Sequence, residues 1–165
     1  MILNFQQKQE IVSNINNITK QSLSIVIANS KHVKVNDITE LRCLARKIGV
    51  KLGVFKNTLI KLGIKGTQFE CLKKLLTGPV LMGCSIDHPR SAARLFRQFS
   101  VNNVNFKIIG AVFKKKILLA CDINTLADMP TYNEAISRFI ITIKEASMGK
   151  LMRSFFSIKK MKDDK

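Results

Sequence analysis

The chain has 165 residues, and its 46% hydrophobic content excludes a disordered chain. Its 28 Lys and Arg against 11 Asp and Glu give a net charge of +17, which favours a polyanionic partner, either nucleic acid or an anionic membrane. No apolar stretch approaches the roughly 18 residues of a membrane span, and the N-terminus lacks a signal-peptide pattern, so we expect a cytoplasmic protein.

Strand and helix signals alternate along most of the chain. In chain order we predict a helix over 5–20, a strand over 23–28, a helix that Asn36 caps and Gly49 ends, a strand over 50–55, short helices over 57–64 and 69–76, a strand over 80–85, a helix from Pro89, and strands over 106–113 and 117–121. Lys114–Lys116 lies between the last two strands and indicates a hairpin tip. The pattern predicts an α/β sandwich with a mixed or antiparallel sheet and helices packed on it.

Met129-Pro130 is the predicted domain boundary, which divides the chain into residues 1–130 and 131–165. From Thr131 the pattern is helical for about 27 residues, with Gly149 as a point where the helix could bend. This helix carries two apolar stripes, the first of Tyr132, Ile136, Phe139, Ile140 and Ile143 and the second of Met148, Leu151, Met152, Phe155 and Phe156. Two interpretations of them stay open. Either the helix folds back on the preceding domain, or it binds a partner, which its large aromatic and methionine side chains favour.

The first eighty residues hold an excess of basic side chains, with 13 Lys or Arg against 4 acids. One basic run contains few acids, and its members are Lys31, Lys34, Arg42, Arg46, Lys47, Lys51, Lys56 and Lys61. A solvated basic face without a partner is one interpretation. Basic residues on an adjacent helix, loop and strand end favour a surface that binds phosphates, and His32 lies in the same basic loop. The helix that opens at Lys56-Asn57-Thr58 could also direct backbone N–H groups at a phosphate.

The sequence offers little sign of an enzyme or of a cofactor. The two histidines, His32 and His88, have no Cys, Asp or Glu at metal-ligand spacing, and the four cysteines form no C-x-x-C pair. No phosphate-binding glycine loop, dinucleotide fingerprint or nucleophile elbow occurs, and the carboxylates are scattered singly. We therefore predict a protein that is not an enzyme, with no metal or cofactor.

Several segments together resemble the bacterial large-subunit ribosomal protein ten (L-ten) family, the ribosomal stalk-base proteins. The segments that carry the resemblance are Lys56–Leu59, Phe69–Leu72, Gly78-Pro79, Ala92–Phe96, Leu126–Tyr132, Lys144–Ser147 and Gly149–Leu151. They occur in order, at matching separations, over essentially the whole chain. The chain departs from the family at Gly53, Gly63 and the Lys114–Lys116 triplet, and it is more basic than usual.

The resemblance implies a ferredoxin-like α/β domain that binds large-subunit ribosomal RNA at the stalk base, beside the ribosomal protein called L-eleven. It implies that the C-terminal helix is a spine for dimers of the acidic stalk protein, L-seven/L-twelve, which recruit the translational GTPases. It also raises possible repression of the protein's own mRNA. The rival hypothesis is a general RNA- or DNA-binding module whose last helix packs on itself.

The resemblance and the basic run together select two sets of candidate residues. The predicted RNA-binding residues are Lys31, His32, Lys34, Arg42, Arg46, Lys51, Lys56, Asn57, Thr58 and Lys61. The predicted contacts with stalk-protein dimers, on the helix from Thr131 to Phe156, are Ile136, Phe139, Ile140, Ile143, Leu151 and Phe155.

Overall fold

The computed structural model describes residues 4–163. Residues 1–3, 164 and 165, which the sequence assigns to the ends of the two predicted domains, lie outside this range. Contacts along the chain divide it into two compact units whose boundary falls between Met129 and Pro130. Each unit is therefore described by itself.

The first unit contains five strands and five α-helices among its described residues. They are α1 (Phe5–Gln21), β1 (Ser24–Asn29), α2 (Val35–Lys47), β2 (Val50–Val54), α3 (Asn57–Gly63), β3 (Val80–Ser85), α4 (Arg90–Asn102), β4 (Lys107–Phe113), β5 (Lys116–Leu119) and α5 (Ile123–Ala127). Two 3₁₀ helices, Glu70–Lys74 and Ala120–Asp122, complete it. The predicted strand over 80–85 is confirmed at both ends, and most other predicted elements differ from the structure by one or two residues.

The five strands form one sheet in the order β2-β3-β1-β4-β5, and every neighbouring pair is antiparallel. The segment β1-α2-β2-β3-α4-β4 therefore has the βαββαβ connectivity of a ferredoxin-like fold, with β5 added at one edge. This confirms the predicted fold class and selects the antiparallel arrangement from the two that the sequence allowed.

Helices cover both faces of the sheet because the central strand β1 is apolar on both sides. Its side chains alternate in direction, as in any strand. Val26 and Ala28 join a buried core with residues of α2, α4 and α5. Ile25 and Ile27 join a second core with residues of α1, α3 and the first 3₁₀ helix. The result is a three-layer sandwich.

The core between α4 and the sheet is closely packed around aromatic rings. Phe106 makes edge-to-face contacts with Phe96 and Phe99, at ring-centroid distances of 5.4 Å and 4.9 Å. Gly83 of β3 faces the same core, where an added Cβ would lie 2.7 Å from Phe96 Cζ and 3.2 Å from Leu52 Cδ2. A side chain at position 83 would therefore overfill this core.

Three predicted details of the first unit are wrong. Asn36 is not the N-cap of the second helix, because a turn at residues 29–32 brings the chain into helix earlier, with Lys34 at the cap position. The predicted strand over 117–121 ends at Leu119, where a 3₁₀ turn redirects the chain so that Ile123 and Leu126 become buried. The predicted helix over 69–76 is a 3₁₀ helix of five residues.

The second unit is helical throughout its described residues. It consists of α6 (Tyr132–Lys144), a π-helical segment (Glu145–Gly149) and α7 (Lys150–Asp163). A capping box begins α6, since Thr131 Oγ1 accepts from Glu134 N and Glu134 Oε2 accepts from Thr131 N. Gly149, where the sequence indicated that the helix could bend, is the last residue of this π-helical segment. Across it Arg153 Nη2 donates to Glu145 Oε1 at 2.7 Å.

Candidate nucleic-acid interface and partner-binding helix

One end of the sheet gathers several of the predicted RNA-binding residues. Strand pairing places the end of β1, the start of β3 and the start of β4 side by side, because Asn29 pairs with Val80 and with Lys107. Antiparallel pairing with β3 brings the end of β2 to the same place, since Val54 pairs with Leu81. The loops that leave β1 and β2, which hold Lys31, His32, Lys34 and Lys56, therefore lie at one end of the sheet.

The loop after β1 is held in a defined shape by local hydrogen bonds. Asn29 Oδ1 accepts from Lys31 N at 2.9 Å, and His32 adopts a left-handed backbone conformation with φ of 65°. Asn105 Nδ2 donates to the His32 carbonyl at 3.2 Å. The side chains of Lys31, His32 and Lys34 are all exposed around this loop.

The loop after β1 is connected to the start of α3 through the Gly78-Pro79 turn. Ser30 N donates to the Pro79 carbonyl at 3.3 Å. Asn57 Nδ2 donates to the Gly78 carbonyl at 2.9 Å, so the amide nitrogen of Asn57 holds the fold together at this point. The turn itself needs Gly78, whose φ is +74°.

The start of α3 completes this basic end of the sheet. Lys56, Thr58 and Lys61 are exposed, and Thr58 and Lys61 are three residues apart on α3, so they project from one side of the helix. Exposed Lys107, at the start of β4, belongs to the same end but was not predicted. Lys107 could have been predicted only from the pairing of β4 with β1, which the sequence pattern alone does not reveal. We call the exposed residues of this end the basic loop end: Lys31, His32, Lys34, Lys56, Thr58, Lys61 and Lys107.

Three other predicted RNA-binding residues lie elsewhere. Arg42, Arg46 and Lys51 line a groove with a volume of about 450 Å³ beside the edge strand β2. Arg46 and Lys51 are near the start of β2, where Val50 pairs with Ser85. The start of β2 and the basic loop end are separated by the length of the strands, roughly 17 Å for six residues. The structure thus brings the ten predicted residues together in two groups.

The second unit exposes large apolar side chains along its helices. Each of the six predicted partner contacts is exposed, from 41% at Ile136 to 66% at Phe155. The six are Ile136, Phe139, Ile140, Ile143, Leu151 and Phe155. Ile141, Met152 and Phe156 are exposed as well, and no residue of α6 is buried. Apolar surface of this extent is typical of a helix that binds a partner.

Residues 4–163 show neither a cluster of metal-ligand side chains nor a membrane-spanning helix. In that range no group of three or more His, Cys, Asp or Glu side chains is arranged to hold a metal ion. None of the helices described there combines the length and the apolar character needed to cross a membrane.

Comparison with known proteins gives a consistent result. The sequence profile of the family described as ribosomal protein L10 matches residues 3–101. Proteins named large ribosomal subunit protein uL10 are similar over 99% of this chain. Those of Buchnera aphidicola subsp. Baizongia pistaciae and subsp. Schizaphis graminum are 56% and 48% identical, with 99% of each relative covered. That of Erwinia tasmaniensis is 45% identical, with 98% covered. The chain belongs to the ribosomal protein L10 family.

Proposed function

We propose that this protein is a structural constituent of the large ribosomal subunit, which binds ribosomal RNA through its first unit and carries dimers of an acidic stalk protein on its second. One observation carries the proposal: a basic surface and an apolar surface occur on two different units. The first unit exposes basic loops, and the second exposes an apolar helix. The names of the relatives support the ribosomal role.

The basic loop end supports the RNA-binding part of the proposal. Its lysines and His32 are exposed around loops whose backbones are held by hydrogen bonds, so the positions from which these side chains extend are defined. Lysine side chains on such a surface bind backbone phosphates and set the register of the complex. Arg42, Arg46 and Lys51, about one strand length away, would contact a separate stretch of the same RNA.

The exposed helix supports the protein-binding part of the proposal. Its aromatic and aliphatic side chains supply the apolar contacts of a helix that docks on a partner. Residues 131–165 contain 8 Lys or Arg against 4 Asp or Glu, and this charge is complementary to an acidic protein. In this proposal the contacts are made by the two apolar stripes on α6 and α7.

Further roles follow if the proposal is correct. The first unit would lie beside the ribosomal protein L-eleven, and the bound L-seven/L-twelve dimers would recruit the translational GTPases. The protein would act in the cytoplasm as a scaffold, without catalysis of its own. Repression of its own mRNA would use the same basic surface on a different RNA.

The test is to measure both binding activities on the full chain and on a chain that ends at Pro130. We expect the full chain to bind a large-subunit rRNA fragment and to form a stable complex with the acidic stalk protein. The shortened chain should keep RNA binding and lose the complex, as measured by fluorescence anisotropy and by size-exclusion chromatography with light scattering. A full chain that binds RNA but forms no complex would favour the general nucleic-acid-binding module with a self-packed helix.

A further inference from the structure

The hairpin between β4 and β5 has an unusual turn. Phe113 pairs with Lys116, so the loop consists of Lys114 and Lys115 alone. Both residues are left-handed, with φ of 48° and 65°. Two-residue hairpin loops of this kind favour Asn-Gly, because an L side chain is strained at positive φ. Lysine at both positions is therefore a poor choice for the stability of the turn.

The turn concentrates positive charge. Lys114, Lys115 and Lys116 are consecutive and exposed. The neighbouring 3₁₀ helix adds Lys74, and it is held against the turn by Cys71 Sγ, which lies 3.7 Å from the Lys115 carbonyl oxygen. We call the three consecutive lysines the lysine tip.

Glu70, the acidic residue next to Cys71 in the sequence, already has two polar partners. Glu70 Oε1 accepts from Gly66 N at 2.8 Å and lies 3.5 Å from Lys73 Nζ. These two partners, the Gly66 N–H first, lower the pKa of the Glu70 carboxyl. Glu70 is therefore paired with Lys73 rather than with the lysine tip, in which Lys114 Nζ lies 5.4 Å from the centroid of the Phe113 ring.

The lysine tip lies away from the basic loop end. Phe113, the residue before the tip, pairs with Ser24 at the start of β1. The basic loop end lies where β1 finishes, at Asn29. The two basic surfaces are therefore separated by the length of β1, about 17 Å for six residues.

We propose that the lysine tip is a further RNA-binding site, in addition to the basic loop end and to the group of Arg42, Arg46 and Lys51, and that it contacts the phosphate backbone of ribosomal RNA at the end of the sheet opposite the basic loop end. This inference rests on the proposed RNA-binding function. Backbone phosphate is the ligand that fits, because lysine acts as a point charge without the planar geometry that recognises a base edge. Strained residues are retained where they serve a site, and a binding role accounts for lysines in a turn that favours Asn-Gly.

The experiment compares full-length variants that separate charge from turn geometry. Lys114→Asn with Lys115→Gly removes two charges and supplies the residues that the turn prefers. Lys114→Arg with Lys115→Arg keeps both charges. Lys159→Asn with Lys160→Asn removes two exposed charges from α7 and serves as the control for net charge. Binding of a large-subunit rRNA fragment is measured by fluorescence anisotropy at several salt concentrations.

We expect the Asn-Gly variant to bind more weakly and to have a slope of log affinity against log salt that is shallower by about 2, one for each lost phosphate contact. Its thermal midpoint should equal or exceed that of the wild type, which rules out misfolding. The Arg-Arg variant should keep the wild-type slope.

Three outcomes would overturn the assignment of the lysine tip. The first is an Asn-Gly variant with the wild-type slope. The second is a change no larger than that of the α7 control, which would show a general effect of net charge. The third is loss of binding to the acidic stalk protein with RNA affinity unchanged. Failure of the wild-type chain to bind the rRNA fragment would instead refute the proposed function itself.

Discussion

Two isoleucines of α6 provide a matched test of the partner-binding stripe. Ile143 is 52% exposed and Ile141 is 56% exposed, so each offers a partner a similar apolar area. They are two residues apart, about 200° around the helix, and therefore face opposite directions. Ile143 lies on the stripe with Phe139, and Ile141 does not.

The expected loss of binding free energy follows from the exposed fractions of these side chains. Ile143→Ala removes three carbons, each of which contributes about 0.8 kcal/mol when buried, and docking can bury only about half of the side chain, which gives roughly 1.2 kcal/mol. Phe139 is 65% exposed, so docking can bury about that fraction of its side chain. Since full burial of such a side chain contributes about 1.5–3 kcal/mol, Phe139→Ala should reduce the binding free energy by about 1–2 kcal/mol. Together the two changes should weaken binding of the acidic stalk protein by roughly 30- to 200-fold.

Isothermal titration calorimetry of the full chain with the acidic stalk protein measures this loss. Ile141→Ala should change the dissociation constant by less than about threefold, and all variants should keep their helix content, because alanine favours helix. Equal losses for Ile141→Ala and Ile143→Ala would contradict the assignment of the stripe. So would a double variant that binds as tightly as the wild type.

Further predictions concern the packing and the stability of the two units. Thr131→Ala removes one half of the capping box with Glu134 and should destabilise the start of α6 by about 1 kcal/mol, seen as faster amide exchange in its first turn. Gly83→Ala should lower the free energy of unfolding by about 1–3 kcal/mol, since the new methyl group collides with Phe96; an unchanged denaturation midpoint would refute the packing. Burial raises the pKa of the Cys84 thiol from 9.0 to about 12, so at pH 8 the native protein should react with a thiol reagent at its three exposed cysteines and not at Cys84. The same shift should lower stability as the pH rises above 9, because the thiol then ionises only in the unfolded chain, and Cys84→Ala should lack this part of the decline.

The parts of the fold that depend on local pattern were predicted well from the sequence. The apolar run from Val80 to Ser85 is a strand with both ends as expected, since every residue in it is buried. The chain enters α2 earlier than predicted, after a turn at His32 whose carbonyl accepts a hydrogen bond from Asn105, a residue distant in sequence. Interactions of this kind leave no signal in a local pattern.

The candidate RNA-binding site shows the same limit. Lys31 and Lys56 were predicted as parts of one surface, and the structure places both at one end of the sheet. Arg46 and Lys51 belong to the same basic run, but they lie near the start of β2. The direction of each strand decides which loops meet, and this direction follows from pairing rather than from composition. Lys107 was missed for the same reason.

The π-helical segment Glu145–Gly149 determines which way the two apolar stripes face. In an uninterrupted α-helix, at 100° per residue, the centre of the second stripe (Leu151, Met152, Phe155 and Phe156) would point about 140° away from the centre of the first (Ile136, Phe139, Ile140 and Ile143). A π turn takes in one extra residue, which rotates everything after it back by about 100° and leaves an offset of roughly 40°. Both stripes then face nearly the same side. A chain one residue shorter, with a continuous α-helix in place of this segment, would present the same face, so the spacing between the stripes can differ by one residue without a change of orientation.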